Sequence, residues 1–234
     1  MKVTTLCFAL LAGGWAAGQD SSTTLRGTVR LKGSAPRSKP IRITCPMCAP
    51  QYPGGMPRED LRVDGEGRIR SAFVYVKSGL EGRKFEIPKS PVVLDQKGCR
   101  YDPHILGMMV GQKLLIRNSD PHPHCIHALP FSNKEFVIGL PKQGQEVEKT
   151  FENPEVMIRI KDSVDVWMSA WVGVLNHPFF AVTGADGRFE IKGLPPGTYT
   201  LAVWQEKCAE ATRQIDVKAD ASLTADFTLD LKKD

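Results

Sequence analysis

Beyond Gly18 no stretch approaches the run of about 18 apolar residues that a membrane helix requires. No apolar pattern of period 3.6 persists for longer than about two turns, so the chain does not announce a helical core. There is no near-identical internal repeat, no Gly-x-Ser-x-Gly, no phosphate loop and no dinucleotide fingerprint, and the common catalytic motifs have no foothold. Lys+Arg 31 against Asp+Glu 26 leaves a net charge of only +5, with bases and acids interspersed. Without a basic stripe, nucleic-acid binding is not expected. No cysteine lies between residues 126 and 207.

What the chain does have is enough apolar content for a packed core, 41% hydrophobic residues over 234 positions, which excludes wholesale disorder. It also has 21 Gly and 17 Pro, as turn-rich β proteins do. The N-terminus reads as a secretory signal peptide over residues 1–18. Met1-Lys2 is positive, Val3 to Trp15 is mostly apolar, and Ala16-Ala17-Gly18 is a small-x-small cleavage pattern. Cys7 sits too early for a lipoprotein site. The expectation is a periplasmic or secreted protein with no integral membrane segment after processing. The remaining cysteines, Cys45, Cys48, Cys99, Cys125 and Cys208, are then disulfide candidates, and their odd number leaves a free or intermolecular thiol.

Short β-rich runs recur at Ala72–Val76, Leu114–Ile116, Val156–Ile160, Trp171–Val174, Phe179–Val182, Arg188–Ile191 and Tyr199–Val203. Turn clusters separate them: Asp64-Gly65-Glu66-Gly67, Asn118-Ser119-Asp120-Pro121, Asp186-Gly187 and Pro195-Pro196-Gly197. Short strands at regular spacing predict an all-β sandwich or barrel. Segments 33–60 and 130–150 read as long loops.

Residues 91–175 carry a resemblance. Gly111-Gln112-Lys113-Leu114-Leu115-Ile116 leads into Asn118-Ser119-Asp120, His124 follows, and the strand at 156–160 runs into Trp167-Met168 and then Val172-Gly173-Val174. This resembles the blue-copper cupredoxins, plastocyanin- and amicyanin-like, in particular exported bacterial forms that continue as His177-Pro178-Phe179-Phe180-Ala181-Val182-Thr183. The resemblance implies a Greek-key sandwich over residues 91–176. It also implies a type 1 copper site of two imidazoles, a thiolate and a weak axial thioether. Matched position by position, His124 stands in the upstream imidazole slot and Met168 in the axial slot. The second imidazole slot holds Asp165 and the thiolate slot Asp162. Two of the four ligands are thus replaced, and a hard carboxylate cannot supply a copper–thiolate bond. Pro121-His122-Pro123-His124-Cys125-Ile126-His127 nevertheless offers a cluster for copper or zinc in a rebuilt site, with Asp162, Asp165 and Met168 as further donors. On a strand, His122 and His124 would share one face and Cys125 and His127 the other. Asp162 and Asp165 also form a carboxylate pair, of a kind that is usually solvated on a loop. His104 and His177 are expected to be structural, hydrogen-bonded residues.

Relatives carry a cysteine at the position of Cys99. The resemblance implies a disulfide from Cys99 to Cys48 or Cys45, stapling the long loop to the sandwich. Cys45-Pro-Met-Cys48 is a C-x-x-C without a thioredoxin-like context and without a His for haem attachment. Cys125 and Cys208 would pair if the C-terminal segment covered the altered loop.

Thr183-Gly184-Ala185-Asp186-Gly187-Arg188-Phe189-Glu190-Ile191, followed by Leu194-Pro195-Pro196-Gly197-Thr198-Tyr199, resembles the carboxypeptidase-regulatory-like modules, a transthyretin-like β-sandwich. Gly27-Thr28-Val29 and Gly33-Ser34-Ala35-Pro36 match the start of the same family. Residues 24–90 with 177–234 would make this second sandwich, the first being inserted into it; the alternative is two consecutive units, 24–176 and 177–234. Such modules support, tether or bind glycans, and Trp167, Trp171 and Trp204 are candidates for sugar stacking or for the core. The expectation is a non-enzymatic binding or scaffold protein without a cofactor, its partner a protein or a glycan. The alternative is a periplasmic metal-binding or electron-transfer protein.

Overall fold

The computed structural model describes residues 23–233; the expected signal peptide, residues 1–18, lies outside them. In chain order the first strands are β1 (Thr24–Leu31), β2 (Arg62–Val63), β3 (Ile69–Arg70) and β4 (Phe73–Ser78). A central group follows: β5 (Val92–Gln96), β6 (Tyr101–Asp102), β7 (Ile105–Met109), β8 (Leu114–Asn118), β9 (His124–Leu129), β10 (Phe136–Leu140), β11 (Glu146–Lys149), β12 (Glu155–Asp162) and β13 (Ser169–Leu175). The last group is β14 (Phe180–Val182), β15 (Arg188–Lys192), β16 (Gly197–Trp204), β17 (Ala211–Val217), β18 (Ser222–Thr224) and β19 (Phe227–Leu229). The one helical turn among the described residues is a 3-10 turn at Ala49–Gln51.

The central strands form two sheets, ordered β10-β9-β12-β13-β7 and β11-β8-β5-β6. Two of the pairings, β5 with β8 and β7 with β13, are parallel. Parallel neighbours need connections that cross from one sheet to the other, and this makes the sandwich a Greek key. Alternation decides what faces inward. In β8, Leu114, Ile116 and Asn118 are buried while Leu115 and Arg117 are half-exposed. Leu94, Tyr101, Met108, Ile126, Ile158, Ile160 and Val172 complete the core.

The flanking strands form a second sandwich. β1 lies between β15 and β18 and also pairs with β19, and the facing sheet is β14-β4-β16-β17. Leu25 sits opposite Ile191, and Gly27 opposite Phe189. Gly27 is required by space: a Cβ there would lie 2.1 Å from the Ala225 carbonyl oxygen and 2.7 Å from the Phe189 ring. The two sandwiches meet through Phe73, Tyr75, Ile105, Met157, Leu175 and Ala202, with Trp171, Phe180 and Trp204 packed against them.

Segment 130–150 is a correction to the sequence reading. It contains β10 and β11, which lie at sheet edges and are only partly buried. β11 exposes Glu146 and Glu148 and so lacks the apolar signal of inner strands, whereas β10 is apolar and exposes Val137 and Gly139. Segment 33–60 is a loop, held by an isolated bridge between Ile41 and Met56.

Candidate functional site

At one end of the central sandwich the turn 118–124, the hairpin 96–101, the loop after β12 and the 3-10 turn of the long loop converge. Asn118 builds the first turn. Its Nδ2 donates to the carbonyls of His122 and Leu140, both at 2.9 Å, and its Oδ1 accepts from the Asp120 amide at 2.9 Å. This aims the Asp120 carboxylate inward, where it accepts from the amides of Gly98 (2.6 Å) and Cys99 (2.9 Å).

His124 is 1% exposed and stands between carboxylates. Its Nε2 is 3.0 Å from Asp120 Oδ2. Its Nδ1 is 3.4 Å from Asp162 Oδ2 and 3.6 Å from Asp165 Oδ2, too long for a well-formed hydrogen bond. The Asp120 contact is therefore the stronger anchor. Burial opposes charge on the ring, but the Asp120 and Asp162 carboxylates outweigh it and push the imidazole up to about 9. Asp120 and Asp162 are likewise penalised by burial, yet the His124 ring and backbone amides hold both below the usual carboxylate range. Burial raises Asp165.

Asp162 is the staple of the loop. Its Oδ1 accepts from the amides of Val164 (2.7 Å) and Asp165 (2.8 Å). Its Oδ2 accepts from the buried Gln96 Nε2 and from the Cys125 amide, both at 3.0 Å. The loop closes where Met168 N donates to Asp165 O at 2.8 Å, and Met168 itself is buried in the central core.

Cys48 and Cys99 form a disulfide, and the free cysteines among the described residues are Cys45, Cys125 and Cys208. The bond tethers the 3-10 turn to the site. His122 Nε2 faces it, 3.4 Å from Cys48 Sγ and 3.6 Å from Cys99 Sγ, and lies 3.5 Å from Asp165 Oδ2. The His122 and His124 rings are 4.7 Å apart.

Four expected ligands, His122, His124, Asp162 and Asp165, come together here. Cys125 and His127 do not. β9 alternates, burying His124, Ile126 and Ala128 and turning Cys125 and His127 outward, where His127 bonds Glu135. The expected Cys125–Cys208 pair is also absent, because Cys208 is buried in the other sandwich's core, where burial lifts its thiol to about 11. His104 and His177 bond main-chain oxygens, those of Ser169 (2.9 Å) and Val76 (3.0 Å). Trp171 and Trp204 pack together with ring centroids 5.0 Å apart, and Trp167 Nε1 donates to the Cys99 carbonyl. None of the three is an exposed platform. Beside the cluster a cleft of about 420 Å³ is lined by residues that include Arg100, His104, Arg159, Trp167 and Glu206.

Sequence reading missed Gln96 and the role of Asp120. The Asn-x-Asp spacing marked a turn, but only the fold shows that its Asp reaches His124. Gln96 meets Asp162 across 66 positions, and no local pattern reports that contact.

A family model described as the carboxypeptidase regulatory-like domain matches residues 165–230. Its first part runs through β13, which pairs within the central sandwich. Several solved copper proteins are similar to this chain. A Cu-containing nitrite reductase (NirK) from Thermus scotoductus is 22% identical with a TM-score of 0.35, over 42% of this chain and 24% of that one. The chain thus spans about a quarter of that enzyme's length. A purple cupredoxin from Nitrosopumilus maritimus is 22% identical with a TM-score of 0.30, over 35% and 97%. A Cu(I) form of an amicyanin mutant is 20% identical with a TM-score of 0.33, over 43% and 97%. No curated protein is similar enough to match. The protein is all-β, a central Greek-key sandwich joined to a second sandwich whose strands from residue 180 to 229 fall inside the span the regulatory-like model matches. Among the described residues, no helix is long and apolar enough to cross a membrane.

Proposed function

We propose that this chain is an exported, non-enzymatic binding or scaffold protein whose cupredoxin-like sandwich works without a type 1 copper centre. The observation that carries this reading is the saturation of Asp162. The residue in the thiolate slot spends both oxygens on four N–H donors and keeps none for a metal. His124 stands between carboxylates that raise its pKa, so a metal would have to displace a proton from it. The donor set therefore does not fit a blue-copper ion. The buried ion pair does the work of the metal, tying the two sheets together at this end. Residues 91–176 are proposed as a unit inserted into a sandwich of residues 24–90 and 177–234, with the cleft beside the cluster as the place for a polar ligand.

Metal analysis and an absorption spectrum of protein purified without a His-tag test this reading. The expected result is no stoichiometric copper or zinc and no blue thiolate-to-copper band. Bound metal that disappears in His124→Ala would favour the alternative, a metal-binding or electron-transfer protein with a rebuilt site. A glycan array tests the binding role separately.

A further inference from the structure

The donors that close on one another are not those the cupredoxin pattern selects. Ligand atoms of Cys48, Cys99, His122 and Asp165 all lie within 4.8 Å of one another, and all four residues are buried. His122 Nε2 is 3.4 and 3.6 Å from the two sulfurs and 3.5 Å from Asp165 Oδ2, and that oxygen is 3.7 Å from Cys48 Sγ. A tetrahedral ion bound at about 2.0–2.3 Å sets its neighbouring donors about 3.3–3.8 Å apart. The spacing is thus that of a coordination shell, except for the sulfurs, which are bonded to each other. A second observation concerns His122. Its Nδ1 is buried without a partner, and a buried polar group so placed requires an explanation. With Nδ1 unpartnered, the polar contacts of the ring run through Nε2, the atom aimed at the two sulfurs and at Asp165 Oδ2.

We propose that Cys48, Cys99, His122 and Asp165 form a thiol-gated metal site: closed while the disulfide stands, and able to take one Zn²⁺ once it is reduced. The reduction requires a dithiol. Two electrons and two protons pass from it to the Cys48–Cys99 bond, giving two thiols, and the dithiol leaves as its own disulfide. Zn²⁺ then forms two Zn–S bonds, displaces both thiol protons and adds the His122 nitrogen and an Asp165 oxygen. Two thiolates, an imidazole and a carboxylate are a donor set that zinc accepts. Opening the disulfide requires the sulfurs to part from bonding distance to about 3.8 Å. The tether between the long loop and the sandwich then becomes a metal clip with the same attachment points, so the loop changes chemistry without changing place.

The test is zinc titration of the full chain against a chromogenic chelator, before and after reduction with a dithiol that is then removed under nitrogen. Reduced protein is expected to bind one equivalent and oxidised protein none. His122→Ala and Asp165→Asn both keep the disulfide for folding. After reduction each is expected to bind zinc on the order of 10- to 100-fold more weakly. Cobalt in place of zinc should show thiolate-to-metal charge transfer in the reduced wild type and lose it in Cys48→Ser/Cys99→Ser. Zinc uptake equal in both redox states, absent after reduction, or undiminished in both His122→Ala and Asp165→Asn would overturn the proposal. Metal bound by the oxidised chain and lost in His124→Ala bears instead on the copper-free reading.

Discussion

His124 sets the electrostatics of the site, and its charge makes stability depend on pH. Its pKa is raised from 6.5 to about 9, so its contribution is complete below 6.5 and fades as pH climbs through about 9. Asp120 and Asp162 are shifted the other way, so theirs holds above 3.8 and fades as pH falls below it. Denaturant unfolding at a series of pH values should show a plateau between these limits and a loss on the order of 3 kcal/mol on the alkaline side. His124→Gln should flatten that alkaline limb; a limb of unchanged slope would show that another group carries it. Asp162→Asn exchanges two acceptor sites for an amide that confronts N–H donors, and should cost about 1–3 kcal/mol in the same measurement. His124 was legible because the fold family's pattern marks its position. Its partners were not, because Asp120 and Asp162 reach it only after β8, β9 and β12 are in register, and sequence adjacency says nothing of that register.

Loops and strands were legible to different degrees, for a physical reason. Inner strands such as Val156–Ile160 are apolar at four of five positions and were visible. β11 was not, because its exposed positions are Glu146 and Glu148, and β10 is an apolar run whose exposed positions, Val137 and Gly139, give no period-2 contrast. The long loop of residues 33–60 was visible through its prolines and glycines, but its attachment point was left open between Cys45 and Cys48 until the 3-10 turn placed Cys48 against Cys99. That bond spans 51 residues, and loop-closure entropy assigns it on the order of 4 kcal/mol. Cys99→Ser should lower the unfolding free energy by up to that amount and open residues 33–60 to limited proteolysis. Resistance equal to wild type would mean that the Ile41–Met56 bridge and the 2.6 Å hydrogen bond from the Tyr52 hydroxyl to the Gly98 carbonyl secure the loop without the disulfide.

Across the whole molecule the junction between sandwiches depends on two glycines. The Phe73 ring lies where a Cβ on Gly107 or Gly173 would stand, at 2.7 and 2.6 Å. Gly107→Val and Gly173→Val should each cost about 1–3 kcal/mol by overpacking. They should also change the fluorescence of Trp171 and Trp204, which sit at the junction. Unchanged emission with lowered stability would mean that the strain is absorbed inside the central sandwich.

The pairing of β1 also governs how the chain is made. Arg26 meets Glu190, 164 residues downstream, and among the described residues the strands paired with β1 are β15, β18 and β19, with one isolated bridge from Arg30 to Arg68 besides. The first of the described strands is therefore among the last to gain its strand partners, and its row of Leu25, Val29 and Leu31 waits for them through most of translation. Closing so long a loop adds little entropy beyond that of a shorter one. The delay is a matter of kinetics, and a central sandwich folding first would shorten it by drawing the two flanks together. A chain cut before Arg188 would keep that edge bare for good, an invitation to pair with its own copies.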